Sequence, residues 1–209
     1  MISRKNIGLL ALLMPLWCLS VYLIMSGLRP EYSHLTKAIS ELGSLDAPHM
    51  WFWNIFGYII PGLAIALLGT GLNHEFTQPL REAFIPSAAL VCSGLLMALS
   101  GVFPGDFENR SSTTMIVHTV GSLGSFVAFL VAGFWFPKIF RSLPHWRWVS
   151  WPSLLLVIAS IVTGLLRSGA APGLGQRLGF ICFFLWVGLV GFALWRSDTR
   201  VSAGSYGGS

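Results

Sequence analysis

Apolar residues along this chain gather into six runs, at approximately 7–28, 51–72, 84–103, 115–137, 148–166 and 178–195, and none of them contains Asp, Glu, Lys or Arg. A helix rises 1.5 Å per residue, so about 20 apolar residues cross a hydrocarbon layer roughly 30 Å thick. A charge at the middle of such a span costs on the order of 3 kcal/mol or more, which gives the absence of charge its weight. His118 is the one ionisable side chain of note inside a run. The two-residue alternation of a transmembrane barrel strand is not seen. The pattern predicts an all-α, polytopic membrane protein: one six-helix bundle over 1–201, followed by a flexible Gly/Ser-rich tail at 202–209.

Composition agrees. The 209 residues are 54% hydrophobic and 10% charged, with a mean hydropathy of +0.71. Soluble domains carry roughly 25% charged residues, and disorder needs still more. Cys18, Cys92 and Cys182 each fall in a separate run, so they read as small packing residues. Most of the tryptophans sit near predicted span ends, where amphipathic rings prefer to lie. The first run is longer than a signal-peptide core and lacks a small-x-small cleavage site, so it reads as an anchor.

Charge between the runs sets orientation, because Lys and Arg are retained on the cytoplasmic side. With the N-terminus inside, Arg4, Lys5, Arg81, Lys138, Arg141, Arg147, Arg196 and Arg200 lie inside. Arg29, Lys37, Arg110, Arg167 and Arg177 lie outside, with most of the acidic residues. Both termini are therefore expected in the cytoplasm of a multi-pass inner-membrane protein. The net charge of +5 then reads as topology and attraction to anionic lipid, and nucleic acid is not an expected partner.

Polar chemistry collects on the other side. The long first outer loop holds a stretch, Ser33 to Gly43, with helical spacing: Leu35, Ile39 and Leu42 on one face, His34, Lys37 and Glu41 on another, Ser33 as cap and Gly43 as stop. A short amphipathic helix over the mouth of the bundle is expected, followed by a turn at Asp46–His49. Phe103-Pro-Gly-Asp106 forms a second turn. His118, Ser122 and Ser125 share one face of span four, and Asn54, Tyr58 and Pro61 repeat that spacing in span two. The third outer loop contributes Arg167 and Gly173–Arg177. Asn and His inside a span are costly against acyl chains, so these residues are expected to converge on one outward-facing polar pocket.

The pieces Ala38-Ile-Ser-Glu-Leu-Gly43, Asn54-Ile-Phe-Gly-Tyr-Ile-Ile-Pro-Gly62, Phe103-Pro-Gly-Asp106, His118-Thr-Val-Gly121 and Gly173-Leu-Gly-Gln-Arg177 resemble, in that order, the pattern of the prokaryotic membrane family called domain of unknown function 998. The Ile-Ser-Glu-Leu-Gly stretch is more loosely similar to six-span eukaryotic proteins that include glycosylphosphatidylinositol-anchor remodelling factors and autophagy modulators. The first resemblance implies a six-helix fold and no defined activity; the second hints at lipid-related work.

Three functional classes compete. In the first, the pocket binds, and in its enzymatic form processes, an amphiphilic or lipid ligand, with Glu41, His118 and Asp106 as candidate catalytic groups. Arg177, Arg167, Asn54, Tyr58, Gln176, His49 and Ser40 are then candidate ligand contacts, with either arginine available to a phosphate. In the second, the same cluster only locks loops onto the bundle of a non-enzymatic assembly, sensor or regulatory protein. Transport is the third, disfavoured because the polar groups lie at one end and not at the midplane. His49, His118 and Asp106 or Glu41 could formally ligate a metal, yet no paired-histidine motif supports one, and no metal site is assigned. A cofactor, the ligand's identity and the oligomeric state are not legible in the sequence.

Overall fold

The computed structural model describes residues 2–76, 80–166 and 171–204, with side chains as far as Ser197. Six helices in it are long and apolar enough to cross a membrane. We label them α1 (Arg4–Gly27), α2 (Met50–Phe76), α3 (Arg81–Val102), α4 (Thr113–Ser142), α5 (Arg147–Leu165) and α6 (Pro172–Gly204). Among the described residues there is no strand.

Local chemistry explains most helix starts. Ser3 Oγ accepts from Asn6 N at the head of α1 and Ser112 Oγ from Met115 N at the head of α4, each satisfying an orphan amide. Pro172 opens α6, a position where its missing N–H costs nothing. α6 therefore starts six residues ahead of the expected span, which puts Gly173–Arg177 on a helix and not in a loop. The helix also runs to Gly204, past the expected start of the tail, whose residues 205–209 lie outside the described residues. α4 continues through Pro137 to Ser142, and the Pro137 carbonyl accepts from Ser150 Oγ of α5 at 2.8 Å.

The helices pack in chain order around a ring, each against the next, and α6 closes it against α1. Small residues set the closest approaches. A Cβ on Gly94 of α3 would stand 2.3 Å from Gly62 O and 2.4 Å from Ala66 N of α2. A Cβ on Gly8 of α1 would stand 2.5 Å from Trp195 N of α6. Such backbone-to-backbone contact is how helices associate where no hydrophobic effect drives them together. Phe129, Phe136, Phe140, Trp186 and Phe76 fill the centre and the end nearer the termini. Large apolar side chains such as Leu16, Leu123 and Leu155 stand outward and well exposed, as a bilayer requires. Near the termini, Arg4 Nη1 meets Glu75 Oε2 at 2.7 Å, joining α1 to α2.

The expected helix over 33–43 is shorter and of another kind. Ser33 to Lys37 makes one turn, closed by Lys37 N to Ser33 O and Thr36 N to Ser33 Oγ. Ala38 then takes an extended conformation, and only Ile39–Gly43 winds, as a 3₁₀ turn. Tertiary partners capture the groups that a continuous helix would have used: Tyr32 Oη donates to Ala38 O, and Ile39 N donates to Gln176 Oε1 of α6. Leu35 is consequently exposed, while Ile39 and Leu42 are buried.

Candidate functional site

A cavity of about 340 Å³ lies between α4, α5 and α6 in the half of the bundle away from the termini. Its walls are made by small residues that line space and are not pressed into contact. Ser160 and Gly164 come from α5, Gly175 and Gly179 from α6, and Ser122 and Ser125 from α4. The clearest case is Gly164, whose Cβ position has no atom within 4 Å. Ala38, Ser40 and Phe107 from the loops close the end, and Phe180 and Phe183 give an apolar wall. Thr119 and Leu123 also line the cavity while standing exposed on α4, Leu123 at 61%, so the cavity reaches the flank of the bundle. The lining holds no Asp, Glu, Lys or Arg among the described residues.

His118 is 4% exposed, and its geometry fixes its tautomer. Nδ1 lies 2.9 Å from Ser100 O and 3.0 Å from Phe103 O. Two carbonyls can only accept, so Nδ1 carries the hydrogen, and in the neutral ring Nε2 keeps its lone pair. Nε2 makes no hydrogen bond with the described residues. Tyr58 packs its ring edge-on to the imidazole at 5.7 Å between centroids. Ser122 Oγ donates to His118 O (2.8 Å) or Ser100 Oγ (3.1 Å), and Ser93 Oγ donates to Ser125 O, which seams α3 to α4 beneath the site.

The expected pocket residues divide into two groups. Ser40, Tyr58, His118 and Gln176 line the cavity. The charged candidates among the described residues do not. Glu41 Oε1 accepts from Ala38 N at 2.7 Å as a cap on the 3₁₀ turn, with Lys37 Nζ at 3.7 Å from Oε2. Asp106 Oδ1 accepts from Asn109 N at 2.9 Å, closing its own turn. His49 is the exposed corner before α2 and carries, among the described residues, the one positive φ of a non-glycine residue, 58°. Asn54 is fully buried, donates from Nδ2 to Gly43 O at 2.8 Å, and leaves Oδ1 without a partner. It sits with Tyr58 in a π-helical turn, Asn54–Ile59, set within α2. Arg167 lies outside the described residues. No three His, Cys, Asp or Glu side chains cluster as a metal site among the described residues, so the formal ligand set His49, His118, Asp106 and Glu41 is not assembled.

Arg177, expected as a phosphate ligand, does different work. It is 8% exposed and donates from Nε to Tyr22 Oη (2.7 Å), from Nη1 to Lys37 O (3.0 Å) and from Nη2 to Tyr32 Oη. Its guanidinium also lies over both tyrosine rings, 5.5 and 5.2 Å from their centroids. Tyr22 Oη bonds in turn with His34 Nδ1. Burial raises the Tyr32 phenol above its ordinary pKa, against the pull of the Arg177 charge. Close packing completes the clamp: Gly173 N donates to Leu35 O at 2.7 Å, and a Cβ there would stand 2.6 Å from Lys37 O. A second buried arginine, Arg29, donates from Nε to Glu31 and from Nη1 to Glu41 O. Tyr22, Tyr32, His34 and Arg29 were not among the candidate site residues, and the sequence offers no signal pairing α1 with residues some 150 positions away.

Comparison with known proteins gives one match. The family model described as protein of unknown function, DUF998, matches residues 12–193. No curated protein and no solved structure matches the chain.

Proposed function

The chain belongs to the DUF998 family, whose description assigns no activity, and from that premise we propose that it is a binding protein for an amphiphile drawn sideways from the membrane into the cavity between α4, α5 and α6. One observation carries the reading: polar groups of Ser40, Tyr58, His118 and Gln176 line a cavity that reaches the outside of the bundle beside exposed Leu123. At about 340 Å³ the space suits a polar head and the first part of one chain, since ligand sites run from roughly 300 to 1,000 Å³. The remainder of the chain stays among the lipids. By the Lys and Arg count the termini face the cytoplasm of the inner membrane, which sets the cavity in the outer leaflet. The commitment of Glu41 and Asp106 to backbone amides favours binding over hydrolysis, and favours a structural role for those two carboxylates.

Gly164 supplies the test, because a large side chain there meets open space and takes up cavity volume. After stringent detergent washing, the wild-type protein should retain an amphiphile detectable by mass spectrometry. Gly164→Trp should lose it with unchanged elution and melting temperature, and Leu155→Trp on the lipid-facing side of α5 should keep it. Equal retention by wild type and Gly164→Trp, or none by wild type, rejects the reading.

A further inference from the structure

Four polar groups that line the cavity, on Ser40, His118, Thr119 and Gln176, have no hydrogen-bond partner for the atom in question among the described residues, and they differ in kind. In the neutral ring His118 Nε2 is an acceptor, because Nδ1 is held by two carbonyls. Gln176 Nε2 is a donor: Ile39 N–H can only donate, so the amide oxygen must face it, at 2.7 Å, and the NH₂ group is turned the other way. Ser40 Oγ, on a residue 7% exposed, can do either. Thr119 Oγ1, on a residue exposed at the flank of α4, can also do either. Ser160 donates to Val157 O, Ser122 is engaged as described above, and Ser125 Oγ lies 3.3 Å from Ser93 Oγ. Arg177, the buried cation closest in sequence to the lining, has its guanidinium bound to two tyrosines and a carbonyl.

From this we infer that the head of the ligand is uncharged and carries both a hydroxyl and a carbonyl, as in a monoacylglycerol, and is not a phosphate ester. The hydroxyl donates to His118 Nε2, the carbonyl accepts from Gln176 Nε2, and Ser40 bonds whichever oxygen is left. An ionised phosphate would need compensating charge to leave water, and the described lining holds no Arg or Lys to supply it. A buried anion facing Nε2 of the neutral His118 ring would meet its lone pair and no donor. This assignment rests on the binding reading above and narrows it to one chemical class.

The test uses the full chain in detergent micelles, with a photoactivatable monoacylglycerol as probe and two unlabelled competitors of equal chain length, monoacylglycerol and lysophosphatidate. Probe should label peptides of α4, α5 or α6, and monoacylglycerol should compete at least roughly tenfold better than lysophosphatidate, the ratio expected when one head is satisfied and the other is left unpaired. Two variants remove one group each while keeping its structural bond. His118→Asn retains a donor for Ser100 O and Phe103 O, and Gln176→Glu retains an acceptor for Ile39 N. Each should weaken probe labelling by about tenfold. Equal or better competition by lysophosphatidate overturns the uncharged head and leaves the amphiphile site standing. Probe that labels no cavity peptide overturns the binding reading itself. The competition is read on the wild-type protein, so it decides the question even where a variant fails to fold.

Discussion

Replacing Arg177 by Met separates a clamp from a ligand site. In the structure the guanidinium makes three hydrogen bonds that join α1, the loop at 32–37 and α6. Bonds from a charged donor contribute about 1.5–3 kcal/mol each, but the methionine no longer incurs the several kcal/mol of desolvation that burying the cation costs. Both tyrosine hydroxyls also keep a second partner, His34 Nδ1 for Tyr22 and Ala38 O for Tyr32, so neither is orphaned. The net loss should therefore be about 2–3 kcal/mol, and it should be local. If the loop opens independently of the bundle, amide exchange over 32–41 rises about 30- to 140-fold, because each 1.4 kcal/mol is tenfold. Hydrogen exchange with mass spectrometry on the protein in micelles reads this directly, with peptides of α2 and α3 as the internal reference. Unchanged exchange at 32–41 would refute the clamp, as would a uniform rise across all helices. Loss of binding to a phosphate-bearing lipid with wild-type exchange would restore Arg177 to the role its position first suggested.

Two further outcomes follow from the same geometry. Gly94→Val drives a side chain into the backbone of Gly62 and Ala66, so α2 and α3 must separate at a cost of about 3 kcal/mol or more; a melting temperature near the wild type would show the helices to be less closely opposed. Acid should loosen the loop at 29–49: the Arg29 bond lowers the pKa of Glu31, and the Ser44 bond lowers that of Asp46. Folded values below the unfolded ones mean that this stability is present above the ordinary carboxylate range near pH 4 and is lost as pH falls through the depressed values. Exchange at 29–49, corrected for its intrinsic pH dependence, should be flat from pH 8 to 5 and rise only below about pH 4; a flat corrected rate to pH 2 contradicts it.

The spans were legible because excluding charge from hydrocarbon is the costliest constraint on this chain, and it writes itself into every run. Their ends were less so. Pro172 starts α6 early, since proline at a first turn costs little, and α4 runs on through Pro137, which costs it only the one bond to the Gly133 carbonyl. The His118, Ser122 and Ser125 face followed from helical spacing, and all three line the cavity. The charged candidates lay on the right side of the bundle, but sequence does not say whether a carboxylate meets a ligand or a backbone amide. For Glu41 a signal did exist: a glutamate three residues after an extended Ala38 is placed to cap it. For Arg177 none existed, because tyrosines and a carbonyl carry no charge pattern to match a cation. Gly43 was read as a helix stop; its φ is not positive, and its lack of a side chain admits Trp53 and Asn54.

That division of polar groups bears on what enters the cavity. Where water is scarce, an ionised side chain without a partner costs far more than a hydroxyl or amide without one. Arg29, Arg177 and Glu41 are each matched to fixed groups of the chain itself. The groups left open, on Ser40, Thr119, Gln176 and His118, include no Asp, Glu, Lys or Arg. A cavity kept for bulk water would gain nothing from this sorting. Under the proposed lipid binding, a cavity that alternates between empty and filled gains from it, because uncharged groups tolerate the interval between ligands at modest cost, and exposed Leu123 stands at its edge. The same argument predicts that a charge placed inside, as in Ser40→Asp, would cost more in a micelle stripped of lipid than any of the neutral substitutions, and a melting comparison of Ser40→Asp with Ser40→Ala measures that difference.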